Sequence, residues 1–241
     1  MRPVLIRWSG RPIYSFPAML FVGLTMGLIL GNFEANLRGV DGTRVYIASV
    51  LLVFPALVGA RLLYVVGRWS FFSQNLLLIG RRSVGGQVMY GALLAVPFSV
   101  PLLRALGVPF WAFWDAYTFT ALAAMAFGRV GCLLQGCCVG KTTTSKFGCV
   151  IRGQDGAAER RIPTQLLEAG LAAVLLGGIT AIPADATAGV VFLAALGGYA
   201  AGRFLLEGTR EIEGRIGGTT AHRWASALLG ALALALLTAL V

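Results

Sequence analysis

The sequence predicts an all-α, polytopic integral membrane protein with about seven transmembrane helices, because its apolar runs approach the roughly 20 residues that a bilayer requires. Hydrophobic residues make up 57% of the chain and charged residues only 12%, whereas soluble domains carry about 25% charged residues. Such a chain cannot cover a water-facing surface. A length of 241 residues suits one domain, so we expect a single membrane domain over 1–241 with one hydrophilic loop at about 141–163.

The first span is predicted from the apolar run at 15–31, which follows an arginine-bearing arm over 1–14. The run lacks a convincing small-residue cleavage site, so we expect a retained helix and not a signal peptide. Gly23, Gly27 and Gly31 recur every four residues. This spacing predicts that one face of the helix packs closely against another helix.

A polar loop over 32–43 leads to the second span at 45–66, in which Pro55 predicts a kink. Arg61 lies inside this apolar run, and the nearby Tyr64 indicates the level of the membrane interface. An arginine in such a position is a candidate functional residue.

Paired glycines, Gly85 and Gly86, open the third span, which runs to about residue 106. Exposed backbone N–H groups at such a helix start suit a phosphate or carbonyl oxygen, but a plain tight turn explains the pair equally well. The fourth span, 108–134, begins with aromatic residues typical of a membrane interface. Asp115 lies among these rings. Two roles for its side chain stay open: hydrogen bonding at the interface and pairing with an arginine.

The hydrophilic region at 141–163 is interrupted by glycines that break helices. A loop of this length is either functional, as a lid or an acceptor-binding loop, or a solvated linker. The fifth span then runs to about residue 182. Thr164 is a candidate cap for it, and Gln165 and Glu168 lie on its first turn.

A polar stripe ends the sixth span, 188–206, and the apolar run at 225–241 predicts the seventh. Arg203 and Glu207 are four residues apart on one helical face, and Arg210 continues the stripe. Charges at membrane depth mark a functional site or pair with one another. A functional stripe and an internal salt bridge are therefore both open.

The stretch 128–141 carries the strongest functional signal, because a long apolar run gives way there to a Gly- and Cys-rich polar loop. An arginine at membrane depth costs about 2.5–3.5 kcal/mol on insertion scales, which makes Arg129 a candidate functional residue. Snorkelling of its side chain to the interface is the alternative.

Three of the four cysteines fall within seven positions, namely Cys132, Cys137 and Cys138, and Cys149 follows. Their spacing does not match a paired C-x-x-C zinc pattern, and His222 is the single histidine. We therefore expect no metal site. The thiols are either small apolar packing groups or reactive nucleophiles.

The chain is basic, with 20 Lys and Arg against 10 Asp and Glu and a net charge of +10. The basic residues lie at helix ends and in short loops, where anionic lipid headgroups are the natural partner. The interleaving of aromatic and basic residues that typifies nucleic-acid binding does not occur, so we expect no nucleic acid as a partner.

Five motifs, taken in order, resemble those of the prolipoprotein diacylglyceryl transferases, a family of bacterial membrane enzymes. They are Gly-x-Arg-x-x-Tyr, a Gly-Gly pair, a Gly-Arg-x-Gly signature with two later glycines, Pro-Thr-Gln-Leu-x-Glu, and Arg-Phe-x-x-Glu-x-x-Arg-Glu. The matching residues are Gly59, Arg61, Tyr64, Gly85, Gly86, Gly128, Arg129, Gly131, Gly136, Gly140, Pro163, Thr164, Gln165, Leu166, Glu168, Arg203, Phe204, Glu207, Arg210 and Glu211.

The resemblance implies that a diacylglyceryl group moves from phosphatidylglycerol to a cysteine thiol of a prolipoprotein-like acceptor, without a cofactor. It implies a multi-pass protein of the bacterial plasma (inner) membrane. The implied partners are phosphatidylglycerol or another anionic phospholipid, a lipobox-containing or other thiol acceptor, and the membrane itself.

The reaction that this resemblance implies, together with the residue types present, gives candidates for each role in the site. The implied catalytic residues are Arg129, Arg203, Glu207 and Tyr90. The implied substrate-binding residues are Arg61, Tyr64, Gly85, Gly86, Gly140, Gln165, Glu168 and Arg210. The possible reactive thiols are Cys132, Cys137 and Cys138.

The sequence also departs from the family pattern. Tyr90 stands where the family has a functional histidine, Cys132 and Cys137 replace an asparagine and a glutamate of the signature, and Leu20 aligns with a tyrosine of the first helix. Three other functions therefore stay open: a divergent homologue with a different lipid or acceptor, a membrane transporter, and a cysteine-based redox protein.

Two arguments disagree about orientation in the membrane. Seven alternating helices put most positively charged loops on one side, and the positive-inside rule assigns that side to the cytoplasm. The resemblance places the same loops and the N-terminus outside.

Overall fold

A computed structural model describes residues 2–80, 95–152, 158–211 and 218–240. Within these ranges the chain forms eight α-helices and two β-hairpins. The helices are α1 (Ser15–Leu37), α2 (Gly42–Gly67), α3 (Trp69–Phe72), α4 (Ala95–Leu106), α5 (Phe110–Gln135), α6 (Thr164–Ile179), α7 (Val190–Leu206) and α8 (Gly218–Leu240). The strands are β1 (Val4–Trp8), β2 (Arg11–Tyr14), β3 (Cys149–Arg152) and β4 (Ala158–Arg161).

Five stretches of helix are long and apolar enough to cross a bilayer, and the shorter apolar helices α4 and α6 accompany them. Large side chains such as Phe21, Phe54 and Leu228 are more than two-thirds exposed, as expected for surfaces that face lipid and not water. The protein is thus a helical, multi-pass membrane protein. The number of seven transmembrane helices stays a prediction, since the start of the third expected span falls on residues 81–94, outside the described ranges.

The contact between α1 and α5 is the most extensive helix–helix contact in the described part of the chain. Gly23, Gly27 and Gly31 are buried on one face of α1. A Cβ atom at Gly27 would lie 2.7 Å from the backbone of Thr120 on α5, and the Thr120 hydroxyl donates a hydrogen bond of 2.9 Å to the Gly27 carbonyl. The predicted close packing of this glycine face is confirmed.

The expected polar loop over 32–43 is wrong, because α1 continues to Leu37. The polar side chains in this stretch are accommodated locally. Glu34 pairs with Arg38 one turn later at 3.7 Å, and the Asp41 carboxylate caps α2 by accepting from the backbone N–H groups of Thr43 and Arg44. The turn between the two helices therefore needs only a few residues.

The N-terminal arm is a β-hairpin of β1 and β2, which are antiparallel. The backbone N–H of Arg2 donates to the carbonyl of Leu134 at 3.1 Å, near the end of α5. The hairpin therefore lies at the end of the bundle where the Gly- and Cys-rich loop begins.

Asp115 acts at the opposite end of the bundle. Its buried carboxylate accepts hydrogen bonds from the backbone N–H groups of Gly189, at 2.7 Å, and Phe192, at 2.8 Å. These groups open α7, where the helix dipole favours a negative charge. Asp115 thus fixes the start of α7 against α5.

Candidate functional site

Three helix ends and one loop meet at a single end of the bundle. Helix α5 stops at Gly136, whose φ of 78° is left-handed, a conformation that glycine adopts at little cost. Helix α6 begins there with Thr164, and α7 ends there near Arg203. Residues far apart in the sequence can therefore combine into one site.

Glu168 is the centre of this site. Its carboxylate is 2.6 Å from Nε of Arg129, 2.7 Å from Nη1 of Arg203 and 2.9 Å from Nη1 of Arg210. The side chain of Glu168 is only 1% exposed. The predicted substrate-binding residue Glu168 thus links three arginines. Arg129 on α5 and Arg203 on α7 are predicted catalytic residues, and Arg210, after α7, is a predicted substrate-binding residue.

Glu207 completes this group, which we call the Glu168 cluster: Arg129, Glu168, Arg203, Glu207 and Arg210. The Glu207 carboxylate lies 2.7 Å from Nη2 of Arg203, so the polar stripe contains the internal salt bridge that was one of its two possible explanations. Three guanidinium groups and two carboxylates leave the cluster with one net positive charge. A buried excess charge is costly unless a partner of opposite sign binds to it.

The guanidinium groups of the cluster differ in exposure. The side chains of Arg129 and Arg210 are 13% and 14% exposed, whereas that of Arg203 is 6% exposed. An incoming anion therefore has its most direct access at Arg129 and Arg210.

The loop after α5 is held by backbone pairing with the segment after α7. Lys141 N–H donates to the Thr209 carbonyl at 2.9 Å, and Glu211 N–H donates to the Val139 carbonyl at 3.3 Å. A Cβ atom at Gly140 would clash with the carbonyl of Ile162 and the hydroxyl of Thr164. Gly140, a predicted substrate-binding residue, is thus required for this close approach.

Gln165 connects α6 to the same loop. Its side-chain amide donates a hydrogen bond of 2.8 Å to the carbonyl of Cys137, and Gln165 is fully buried. In this structure the predicted substrate-binding residue Gln165 positions the cysteine loop.

The three cysteines of the loop come together beside the Glu168 cluster. The Sγ atoms of Cys132, Cys137 and Cys138 all lie within 4.8 Å of one another. Cys132 is buried, the other two are half-buried, and Cys149 is exposed. The sequence spacing had not indicated that the three thiols would lie side by side, because their proximity depends on the turn at Gly136.

The surroundings of Cys138 affect the pKa of its thiol. Hydrogen bonds from Cys132 and Cys137 lower the pKa of the Cys138 thiol, and the positive charges of Arg129 and Arg210 act in the same direction while burial opposes them. Cys138 also has a positive φ of 59°, which residues other than glycine seldom adopt.

Arg161 is a structural residue of the site that sequence reasoning did not single out. Its buried side chain pairs with Glu211 at 2.6 Å and with Glu159 at 2.8 Å. Nη1 of Arg161 also donates to the Gly140 carbonyl at 3.4 Å. The hairpin of β3 and β4, which lies within the expected hydrophilic loop, is thereby fastened to the segments around the cluster.

Arg61 contacts residues on α2, on α3 and in the turn that follows α3. Arg61 donates hydrogen bonds to the carbonyls of Leu78 and Ile79, at 3.3 and 3.1 Å, and its guanidinium lies over the rings of Tyr64 and Phe72. The predicted residues Tyr90, Gly85 and Gly86 lie outside the described residues.

Comparisons of the sequence with known proteins identify a matching family and several relatives. A family model described as prolipoprotein diacylglyceryl transferase matches residues 3–239. The phosphatidylglycerol–prolipoprotein diacylglyceryl transferase 2 of Clostridium perfringens is 31% identical over 172 residues, covering 68% of this chain and 64% of that protein. The phosphatidylglycerol–prolipoprotein diacylglyceryl transferase of Pediococcus pentosaceus is 26% identical over 242 residues, covering 95% and 86%.

A third relative, the phosphatidylglycerol–prolipoprotein diacylglyceryl transferase of Clostridium tetani, is 29% identical over 150 residues. The chain spans 64% and 59% of the length of the two clostridial relatives.

The fold and the site define a multi-pass helical membrane protein with guanidinium groups gathered at one end of its bundle. The family model covers nearly the whole chain. The chain belongs to the prolipoprotein diacylglyceryl transferase family.

Proposed function

We propose that this protein transfers the diacylglyceryl group of phosphatidylglycerol to a cysteine thiol of a prolipoprotein-like acceptor in the bacterial inner membrane. The observation that carries the proposal is the Glu168 cluster, whose net charge of one positive unit matches the single negative charge of a phosphodiester. Binding this headgroup neutralises the cluster, which favours an anionic phospholipid over a zwitterionic one.

The arginines are suited to hold the phosphodiester. A planar guanidinium can donate two parallel hydrogen bonds to phosphate oxygens. Arg129 and Arg210 are the more exposed members of the cluster and make the first contact. Arg203, held by Glu168 and Glu207 at 2.7 Å each, supplies a fixed positive charge behind them.

The reaction increases the negative charge at the phosphate. The acceptor thiol loses its proton, and its sulfur forms a bond to the glycerol carbon that bears the phosphate. The bond between that carbon and the phosphate oxygen breaks, and glycerol phosphate leaves with the bonding electron pair as a dianion. Guanidinium groups that are already in place stabilise this developing charge without reorganisation.

Glu207 has two possible roles, as a base for the thiol or as a residue that orients an arginine. Its contact with Arg203 at 2.7 Å favours orientation, since this charge-assisted contact fixes the position of the guanidinium group. Tyr90, whose side chain has an ordinary pKa of about 10, is the other candidate base.

An Arg129→Ala variant tests the proposal. Membranes that contain the variant are incubated with labelled phosphatidylglycerol and a lipobox peptide, and the products are identified by mass spectrometry. We expect transfer to fall by about 100-fold or more, the loss typical when an oxyanion-stabilising donor is removed. Full activity of Arg129→Ala would reject the assignment.

Arg44→Ala is the matched control. Arg44 pairs with Asp41 near the start of α2, and its side chain is 54% exposed. It lies outside the Glu168 cluster, so this variant should keep the activity of the unaltered protein. Equal losses in both variants would indicate a general effect on folding and not a role in lipid binding.

A further inference from the structure

We infer that Cys132, Cys137 and Cys138 form a zinc site whose open fourth position takes the thiol of the acceptor cysteine. This inference rests on the proposed function and deepens it, because it assigns the group that activates the acceptor. It also departs from the expectation drawn from sequence spacing, which indicated no metal.

The distances between the three sulfur atoms fit one metal ion. All three Sγ atoms lie within 4.8 Å of one another. A tetrahedral zinc ion with Zn–S bonds of about 2.3 Å requires sulfur atoms about 3.8 Å apart. Small side-chain rotations therefore bring the thiols into ligand positions, without any movement of helices.

The backbone holds the three cysteines in place. Gly136 and Cys138 both have a positive φ, so the loop turns sharply between Cys132 and the Cys137–Cys138 pair. The Cys137 N–H donates to the Cys132 carbonyl at 3.1 Å, and Gln165 holds the Cys137 carbonyl at 2.8 Å. Such support from outside the ligands is typical of a preformed metal site.

The number of ligands indicates a reactive zinc rather than a structural one. In the part of the chain that the structure describes, the group of metal-ligating side chains at this position contains these three cysteines alone. Structural zinc sites are closed by four protein ligands, whereas catalytic zinc has three and keeps one position for water or substrate. A soft thiol is a natural fourth ligand for such an ion.

The charge around the thiols is compatible with thiolate ligands. Three thiolates and one Zn²⁺ carry one net negative charge. Arg129 lies three residues before Cys132, on the same side of α5. The guanidinium group of Arg129 therefore lies near the metal position, where its positive charge favours thiolate ligands.

The two buried carboxylates of the cluster are already occupied by arginines, so another group is needed to activate the acceptor thiol. Zinc would serve this role. Glu168 and Glu207 are both held in ion pairs with arginines at 2.6–2.9 Å. A thiol bound to zinc loses its proton outright. The zinc-bound sulfur then attacks the glycerol carbon, the carbon–oxygen bond to phosphate breaks, and the neutral thioether product leaves the metal. The proton is released to solvent and glycerol phosphate carries away the electron pair.

The test uses the full-length protein, purified in lipid nanodiscs that contain phosphatidylglycerol under reducing conditions. The zinc content is measured by inductively coupled plasma mass spectrometry, and we expect about one ion per chain. Cys132→Ser and Cys138→Ser should lose this zinc, whereas Cys149→Ser, which alters an exposed cysteine outside the group, should retain it. Absence of zinc from the unaltered protein, even after incubation with zinc ions, would overturn the inference.

Cobalt provides a readout that does not depend on turnover. Protein treated with a chelator and reloaded with Co²⁺ should show a thiolate-to-cobalt absorption band. This band should shift when a lipobox peptide is added, and it should not shift with a peptide whose cysteine is replaced by serine. An unchanged spectrum with the cysteine peptide would refute the open position for the acceptor.

Activity measurements separate this inference from the proposed function. Removal of zinc should lower transfer by about 100-fold, within the range that positioned proton transfer contributes, and added zinc should restore it. Transfer that persists without zinc and in Cys138→Ser would reject the role of zinc in activating the acceptor and leave the proposed function standing. Bound zinc without transfer from any phospholipid would retain the metal site but reject both the proposed function and the metal's role in it.

Discussion

A single carboxylate organises the charged residues of this protein. Glu168 contacts three guanidinium groups from three segments of the chain. The sequence suggested each arginine separately, by its position in or near an apolar run. It did not reveal that Glu168 would join them, because the meeting point depends on how α5, α6 and α7 pack.

Replacing Glu168 tests this role at the level of one residue. Glu168→Gln removes the negative charge while keeping a side chain of similar size. We expect the free energy of unfolding to fall by about 3–5 kcal/mol, the usual cost when one partner of a buried ion pair is lost. Chemical unfolding in mild detergent, followed by tryptophan fluorescence, measures the change.

Glu159→Gln serves as the comparison, because the Glu159 side chain is 45% exposed. Loss of such an exposed partner should cost less than about 1 kcal/mol. Similar costs for the two variants would mean that Glu168 does not hold the cluster together.

At the scale of helices, the glycine face of α1 determines how closely the bundle packs. The four-residue spacing of Gly23, Gly27 and Gly31 was visible in the sequence, and it predicted the contact correctly. The partner helix was not predictable, since many apolar runs offer an equivalent surface. The length of α1 was underestimated because polar residues near its end pair with one another and with the next helix, as in the contact of Glu34 with Arg38 at 3.7 Å.

A Gly27→Ala substitution should disturb this helix contact. The new Cβ would lie 2.7 Å from the Thr120 backbone, so α1 and α5 must move apart. Overpacking of this kind costs about 1–3 kcal/mol, and the thermal midpoint of the detergent-solubilised protein should fall. Gly177→Ala on α6 introduces a methyl group with no neighbour within 4 Å, so that variant should not be less stable than the unaltered protein. A midpoint unchanged in Gly27→Ala would contradict close packing here.

The hairpins show where sequence patterns were least informative. Strands β3 and β4 have four residues each and lie in a stretch rich in charge and glycine, so a loop was the natural expectation. Their order comes from contacts with distant residues, chiefly the pairing of Arg161 with Glu211 at 2.6 Å. Such contacts leave no periodic signal in the sequence.

Across the whole molecule, the polar groups are distributed unevenly. The N-terminal hairpin, the cysteine loop, the β3–β4 hairpin and the Glu168 cluster all lie at one end of the bundle. Several arginines at this end, including Arg129, Arg161 and Arg203, are engaged in buried ion pairs. They are therefore poor guides to orientation under the positive-inside rule, which concerns charges in short loops.

We expect the end with the cluster to face outward from the bacterial cytoplasm. Cys149 is exposed on the β3–β4 hairpin, so a maleimide that cannot cross membranes should label it in intact spheroplasts. Cys149→Ser should abolish most of that labelling and thereby identify the reacting residue. Labelling only after the membrane is permeabilised would place this end in the cytoplasm.

The three contacts to Glu168 have a practical consequence for handling the protein. Any small oxyanion that enters the cluster has to compete with this carboxylate for the same guanidinium donors, and sulfate or inorganic phosphate is well suited to do so. Buffers that contain these ions would occupy the position of the lipid phosphate and act as competitive inhibitors. Storage in chloride-based buffers of low ionic strength, without sulfate, phosphate or carboxylate ions, would therefore leave more of the protein free to take up lipid.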